Sequence, residues 1–313
     1  MRNLYENEMA AVRNYFFLLV MVCSSFNCSK KLHPNVIVQP ANFRIQILAR
    51  FNGYGILVNT YWGKDSIEHL LYWDNHSPCW ADFSIVKDSA TFVKSRKYNY
   101  RTTTAEGANI QGDVYMCNKI SLGDVAFFGI PFYNIARQKT RQWNDKIVGV
   151  FGEELINKGI WEIDFKNESI TFASSIDSLK DLPRASLLPS RFTDGIIELE
   201  VTFQKNIKKI LEVDMGYNGG ILLPSHLFTI VSLGNKRTLT NKLLFSTPGR
   251  SENVLNHLAM DSVKIGKKFY PVSIESNQSD KEMLLGARFF KQFEFVSFDY
   301  INQAVYVSNK KLY

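Results

Sequence analysis

The feature that most constrains the fold is an internal repeat, in which three sequence blocks occur twice in the same order. Each copy has an apolar stretch ending in Asp, then two apolar stretches around a Gly, then a Gly followed by a short helical pattern and two more apolar stretches. The copies occupy residues 69–86, 118–132 and 148–172, and again 209–228, 260–274 and 282–307. Three blocks in one order indicate a duplicated structural unit rather than a chance match.

The apolar stretches of both copies are typical of β-strands. Past residue 40 they are short, rich in β-branched and aromatic residues, and separated by Gly, Asn, Asp and Lys turns. Helical patterns are few and lie near Glu153, after Pro224 and after Gly286. The sequence therefore predicts an all-β fold of two similar β-barrel lobes with a few short helices. The predicted ranges are 29–174 for the N-terminal lobe, 175–193 for a linker and 194–313 for the C-terminal lobe.

The N-terminus has the pattern of an export signal. Residues 15–22 are apolar but too few to span a bilayer, which needs about 20 residues. We predict a signal peptide at residues 1–28, with translation starting at Met9, because the acidic residues before Met9 fit such a signal poorly. Cys28, with Cys23 as its competitor, resembles the lipidated cysteine of a bacterial lipoprotein signal, and simple cleavage is the alternative.

Composition and residue spacing exclude several classes of partner. The net charge is +7, but the lysines are scattered, so we predict no nucleic-acid partner. No group of Cys or His residues has metal-ligand spacing, and we predict neither a metal nor a cofactor. Cys79 and Cys117 could form a disulfide in an oxidising compartment, although their spacing does not require one.

Two lone aspartates end apolar stretches at equivalent places in the two copies. The turns that they begin read Asp74-Asn75-His76 and Asp214-Met215-Gly216. Each is followed by two apolar residues and a Gly, 78 positions after the first aspartate and 72 after the second. A plain structural turn is one interpretation, since Asp and Gly are common in turns. The other is a pair of carboxylates held on rigid strand ends, where glycine allows the backbone to bend beside them.

This arrangement resembles the two-lobed aspartic peptidases, and the resemblance covers most of residues 45–308. The C-terminal stretch "GARFFKQFEFVSFDYINQAVYV" is similar to the end of retropepsin-like domains in Bacteroidota aspartyl protease family proteins. The resemblance implies that Asp74 and Asp214 come together, share one proton and activate a water molecule that attacks a peptide bond. No metal, cofactor or nucleophilic side chain takes part in such a reaction.

The first turn departs from the Asp-Thr-Gly pattern of that family. Asn75 offers a polar brace in place of Thr, whereas Met215 lacks the hydroxyl group in the second turn. A cationic His76 at the glycine place would stabilise both carboxylates as anions and remove the shared proton. His76 could instead point away or belong to a modified mechanism. Asp82 is a rival to Asp74 as the partner of Asp214.

Two predicted hairpins follow the aspartates. Their expected tips are Gly107, 33 positions after Asp74, and Gly249, 35 positions after Asp214. Mobile hairpins there would position an extended substrate and exclude water. Ordinary structural hairpins are the alternative.

We therefore predict an aspartic endopeptidase, a monomer that binds an extended peptide or protein substrate between its lobes. The predicted location is the cell envelope of a bacterium, reached by export and a lipid anchor. One alternative is an inactive relative that binds peptides or envelope partners in the same cleft, which the Asp74-Asn75-His76 turn favours. Another is an envelope binding β-protein without peptidase ancestry, which the repeated blocks disfavour.

Overall fold

The fold is seen in a computed structural model. The structure describes residues 35–52, 55–63, 67–86, 92–103, 109–134, 147–232, 239–247, 250–277 and 283–312. All of them lie in one structural unit, residues 34–313.

The first half of the chain supplies twelve of the described strands. They are β1 (Ile37–Gln39), β2 (Arg44–Leu48), β3 (Arg50–Asn52), β4 (Gly55–Trp62), β5 (Ile67–Trp73), β6 (Trp80–Ala81), β7 (Phe92–Thr103), β8 (Asn109–Leu122), β9 (Val125–Asn134), β10 (Ile147–Phe151), β11 (Ile160–Asp164) and β12 (Ser169–Ala173).

The second half supplies eleven more. They are β13 (Ala185–Leu188), β14 (Ser190–Thr193), β15 (Ile196–Thr202), β16 (Lys208–Asp214), β17 (Ile221–Pro224), β18 (Leu239–Thr247), β19 (Arg250–Ile265), β20 (Lys268–Asn277), β21 (Leu284–Gly286), β22 (Phe295–Asp299) and β23 (Ala304–Ser308).

Helices are few and short, as the sequence predicts. The α-helices are α1 (Phe83–Val86), α2 (Glu153–Ile156), α3 (Ser225–Ser232) and α4 (Ala287–Phe290). Single 3-10 turns lie at Ile176–Ser178, Leu182–Arg184 and Gln204–Asn206. No helix within the described ranges is both long and apolar enough to cross a membrane.

The two halves have the same strand pairing, which confirms the predicted pair of similar β-barrel lobes. The first lobe runs β3-β4-β5-β10-β6-β9-β8-β7, and the second runs β14-β15-β16-β21-β17-β20-β19-β18. The parallel pairs also correspond: β5 with β10 matches β16 with β21, and β6 with β9 matches β17 with β20. The repeated sequence blocks therefore build the same topology twice.

A third sheet joins the lobes. Its six strands run β13-β23-β22-β11-β12-β2, so each lobe contributes one half. The central pair is β11 with β22, where Ile160 lies opposite Asp299 and Glu162 lies opposite Ser297. The two strands of this central pair are almost entirely buried on both faces. This sheet fixes the position of one lobe relative to the other.

Aromatic side chains connect this sheet to the first aspartate. Trp161 of β11 stacks on Phe172 of β12 with ring centroids 4.0 Å apart. Trp73, the residue before Asp74, lies 6.0 Å from Trp161 and 6.1 Å from Phe298. Buried aromatic contacts of this kind hold a strand end rigidly.

The segment predicted as a linker has more regular structure than expected. Residues 175–193 contain β13, which pairs with β23 in the shared sheet, and β14, which pairs with β15 in the second lobe. Both strands lie at sheet edges, and their alternation of apolar and polar residues is short and interrupted by proline, which obscures a strand pattern. The lobe boundaries remain a prediction.

Candidate active site

Asp74 and Asp214 occupy equivalent strand ends in the two lobes. Asp74 follows β5, and its backbone N–H donates to the carbonyl of Phe151 on β10 at 3.1 Å. Asp214 ends β16 and lies opposite Gly286 of β21 in a parallel register. The neighbouring parallel strand fixes each aspartate backbone, so the carboxylates stand on rigid supports.

The two carboxyl groups meet at the seam between the lobes. Both carboxylates lie beside the backbone of Gly216, whose N–H donates to Oδ1 of Asp214 and whose Cβ position is overlapped by the carboxylate of Asp74. Burial, and next the negative charge of Asp214, raise the pKa of Asp74 to about 8. The backbone N–H of His76, which donates to Oδ1 of Asp74 at 2.9 Å, opposes this rise without cancelling it. At neutral pH the raised pKa therefore leaves a proton at the pair.

Gly216 is required by the close approach of the two turns. Oδ1 of Asp214 accepts from the backbone N–H of Gly216 at 2.8 Å and from that of Tyr217 at 3.0 Å. A Cβ atom built at Gly216 would overlap the carboxylate of Asp74. Only glycine leaves room there for the partner carboxylate.

Asn75 braces the seam from the first lobe. Its side-chain amide donates to the carbonyl of Val213 at 2.9 Å, and its oxygen accepts from the backbone N–H of Met215 at 2.8 Å. Asn75 is 2% exposed, so both hydrogen bonds are shielded from water. Met215 is buried and offers no polar side-chain group, and its backbone depends on Asn75.

His76 turns its ring toward the second lobe. Its Nε2 lies 2.6 Å from Oε2 of Glu212, a residue of β16 two positions before Asp214. Sequence reasoning missed Glu212, although the alternation of side chains along a strand places residues 212 and 214 on one face.

Tyr72 is a second residue that sequence reasoning missed. It lies two positions before Asp74, and its hydroxyl donates to the carbonyl of Gly216 at 3.2 Å and lies 3.1 Å from Oδ1 of Asn218. Burial, followed by the charges of Asp74 and Asp214, raises the pKa of Tyr72. The hydroxyl therefore remains a hydrogen-bond donor beside the carboxylates.

Asp82 has a local structural role. Its Oδ1 accepts from the backbone N–H of Ser84 at 2.9 Å and from the hydroxyl of Ser84 at 2.6 Å, at the start of α1. These contacts are those of a helix N-cap. The seam brings Asp74, not Asp82, to Asp214.

The remaining candidates lie apart from the carboxylates or outside the described residues. Cys79 and Cys117 are buried, and no disulfide joins them. Gly107 and Gly249 lie outside the described residues, although β7 with β8 and β18 with β19 are paired up to the strand ends next to them. Within the described part of the chain, no group of three or more His, Cys, Asp or Glu side chains is arranged to hold a metal ion.

These features define the class of the fold: the chain has the two-lobed fold of aspartic peptidases. It is similar to the crystal structure of basic 7S globulin from soybean, with a TM-score of 0.58 and 10% identity over 89% of this chain and 96% of that chain. It is also similar to conglutin gamma, a basic 7S globulin from lupine seeds, with a TM-score of 0.59 and 11% identity over the same shares. At such identities the likeness establishes the fold alone. No protein-family model and no curated protein matches the sequence.

The predicted membership of a Bacteroidota aspartyl protease family is wrong. No family model matches, and the two similar solved structures named above are seed proteins of soybean and lupine. The stretch that suggested the family is the β21-α4-β22-β23 unit, whose pattern follows from the fold. A Cβ atom at Gly286, for example, would lie 2.5 Å from the carbonyl oxygens of Gly219 and Tyr217.

The predicted location in a bacterial cell envelope rested on that family and is wrong with it. The signal peptide at residues 1–28, with Cys23 and Cys28, lies outside the described residues and stays a prediction.

Proposed function

We propose that this protein is an aspartic endopeptidase whose catalytic residues are Asp74 and Asp214. The observation that carries the proposal is the pair of carboxyl groups that meet beside Gly216 at the seam, where the pKa of Asp74 is raised to about 8. Two carboxyl groups that share one proton are the arrangement that peptide hydrolysis without a metal needs.

The protonation of the pair assigns the roles in this proposal. The ionised carboxylate of the pair takes a proton from a water molecule bound between the carboxyl groups. The water oxygen then attacks the carbonyl carbon of the peptide. Asp74 donates its proton to the carbonyl oxygen as negative charge develops there. The nitrogen of the tetrahedral intermediate then takes the proton that the carboxylate accepted from water, and the C–N bond breaks. One hydroxyl group of the intermediate returns its proton to the pair, so the products are a carboxylic acid and an amine and the pair regains its starting state.

The proposed substrate is an extended peptide or protein segment lying across the seam. Paired strands β7 with β8 and β18 with β19 extend from each lobe, and their edges offer backbone hydrogen bonds to an extended chain. Since one chain supplies both aspartates, the proposed enzyme acts as a monomer.

The test is hydrolysis of a peptide library by the purified protein from acid to alkaline pH. We expect cleavage that declines as the pH rises through about 8, where Asp74 loses the shared proton. Asp74→Asn and Asp214→Asn should each lower kcat/KM by roughly 10²–10⁴-fold. Asp82→Asn is the matched control, because asparagine also caps helices, and it should retain activity. No cleavage at any pH would contradict the proposal.

A second candidate is peptide binding without hydrolysis. It is favoured by His76, a charged residue in the first turn at the place where the second turn has Gly216. This candidate predicts that a pepstatin-like peptide binds the protein and that no peptide is cleaved. Binding that persists in Asp74→Asn, together with the absence of cleavage, would favour it over the endopeptidase.

A further inference from the structure

Besides the hydrogen bonds of Asn75, two further contacts cross between the lobes, one on each side of the aspartate pair. In each, the residue two positions before one aspartate meets the residue two positions after the other. Tyr72 contacts Gly216 through its hydroxyl at 3.2 Å, and Glu212 contacts His76 at 2.6 Å. The pseudo-symmetric positions are therefore filled by a neutral pair on one side and an ionisable pair on the other.

The ionisable pair contains His76, whose positive charge would favour loss of the proton shared by the aspartates. Three carboxylates face His76: Glu212 and Asp214 from β16, and Asp74 from the end of β5. Burial lowers the pKa of His76, but the hydrogen bond to Glu212 and the charges of the three carboxylates outweigh it and raise the pKa to about 9. His76 is therefore a cation at neutral pH.

An isolated cation beside Asp74 would favour loss of the proton that the pair shares. Glu212 is placed to prevent this, because its carboxylate binds the ring directly and adds a negative charge. The side chains of His76 and Glu212 are 26% and 42% exposed, so the pair is accessible to solvent but anchored by a short contact. Together they contribute no net charge to the site.

We propose that Glu212 is a positioning residue, which holds the His76 imidazolium across the seam so that Asp74 and Asp214 keep their shared proton. The proposal rests on the endopeptidase function and explains how a charged residue is accommodated where the second turn has glycine. It also gives β16 two tasks: Asp214 supplies one carboxyl group of the pair, and Glu212 controls the charge beside it.

The test measures titration directly and does not depend on catalysis. Glu212→Gln removes the negative charge but keeps the shape of the side chain. Without that charge, the His76 ring and the Asp74 carboxyl group hold their protons less tightly. We expect the titrations of the His76 ring and of the Asp74 carboxyl group, followed by NMR, to move to lower pH by about one unit or more. Each signal is assigned by its loss in His76→Asn or Asp74→Asn.

The reverse change tests the same charge balance. His76→Gly removes the cation and should move the Asp74 titration to higher pH. The double variant His76→Gly with Glu212→Gln removes a neutral pair and should return it close to the wild-type position. Glu200→Gln, on the neighbouring strand β15, is the matched control and should leave both titrations unchanged, because Glu200 pairs with Lys208 at an exposed site.

Unchanged titrations in Glu212→Gln would overturn the proposal. An Asp74 titration that shifts equally in His76→Gly and in the double variant would also overturn it. If the protein cleaves peptides, the alkaline limb of kcat/KM should follow the Asp74 titration in each variant. If the titrations shift as expected but no peptide is cleaved, the endopeptidase function fails while the charge control by Glu212 stands.

Discussion

Gly216 and His76 stand two positions after the aspartates of their lobes, yet they meet opposite steric conditions. The backbone of Gly216 lies so close to Asp74 that a Cβ atom would overlap the carboxylate. His76 carries a full side chain at the matching place because its ring is directed to Glu212. The two halves of the site are therefore related in backbone and different in chemistry.

Gly216→Ala should destabilise the protein and separate the carboxyl groups. The added methyl group forces Asp74 or the turn to move, which typically costs about 1–3 kcal/mol. Chemical denaturation measures the loss, and the titration of Asp74 should move toward its ordinary pKa as the carboxyl groups part. His76→Ala, at the equivalent position, adds no atom and should cost less than about 1 kcal/mol. An Asp74 titration in Gly216→Ala that is unchanged from the wild type would contradict this account.

Residue-scale prediction from the sequence found the two aspartates but not their partners. Asp74 and Asp214 end apolar stretches and precede turns, which is a local signal. Glu212 and Tyr72 act across the seam, and their partners lie 136 and 144 residues away along the chain. A sequence pattern gives the face on which such residues lie, but not what that face meets.

At the scale of elements, α4 is anchored by a buried ionic network beneath the second turn. Arg288 of α4 lies 3.0 Å from Oε1 of Glu275, which is 1% exposed, and the hydroxyl of Tyr217 donates to the same carboxylate. Burial raises the pKa of Glu275, while Tyr217 and Arg288 oppose the rise. This network links β20 and α4 to the turn that begins at Asp214.

Arg288→Leu should destabilise the protein by about 3–5 kcal/mol, because it leaves a buried charge without its partner. Loss of Arg288 raises the pKa of Glu275 further. Above the ordinary pKa of glutamate, Glu275 then keeps its proton in the folded state and loses it in the unfolded state. The cost should therefore be largest at neutral pH and shrink toward acid pH. Denaturant unfolding at several pH values measures it.

The matched control is Arg288→Leu combined with Glu275→Gln, which removes the charge together with its partner. The double variant should recover part of the stability and lose the dependence on pH. A cost that is the same at acid and neutral pH in Arg288→Leu would contradict the role assigned to the buried carboxylate.

The sequence predicts the type of most secondary-structure elements, but it does not predict which strands pair. Short apolar stretches and helices after Gly152 and Gly286 follow from local patterns and are present as α2 and α4. The pairing of β11 with β22 joins residues about 135 positions apart and leaves no local signal. β13 and β14 were missed because each is a four-residue edge strand next to proline.

At the scale of the whole molecule, the lobes meet in two places. The six-stranded sheet joins them at the base, and the turns after β5 and β16 join them at the seam. One cluster of buried apolar side chains runs through both lobes, including Val58 and Phe132 of the first and Leu199 and Ile274 of the second. Such continuity predicts that the lobes unfold together.

Asn75→Ala should weaken the seam without disturbing the base. Two buried hydrogen bonds are lost and two backbone groups are left without a partner, at a cost of about 2–4 kcal/mol. The proposed peptidase activity should fall further than stability alone explains, since the carboxyl groups are no longer held together. Asn218→Ala is the matched control, because Asn218 lies exposed at the same seam, and it should cost less than about 1 kcal/mol. Equal effects of the two changes would argue against the brace.

The duplicated plan was visible in the sequence, whereas the family was not. The same strand order occurs twice because the hydrophobic pattern and the glycines are repeated. Any sequence that adopts this fold has to have that pattern. The soybean and lupine structures have a similar fold at 10% and 11% identity, so this fold is compatible with very different sequences.

Joining both halves in one chain has a consequence for whatever lies across the seam. Two identical halves would present the same surroundings to a peptide in either orientation. Here one half offers Tyr72 against Gly216 and the other offers Glu212 against His76. An extended peptide bound across the seam, as proposed above, would therefore meet these contacts in one order when it runs from its amino to its carboxyl end and in the reverse order when it runs the opposite way, so the two binding directions would differ in energy.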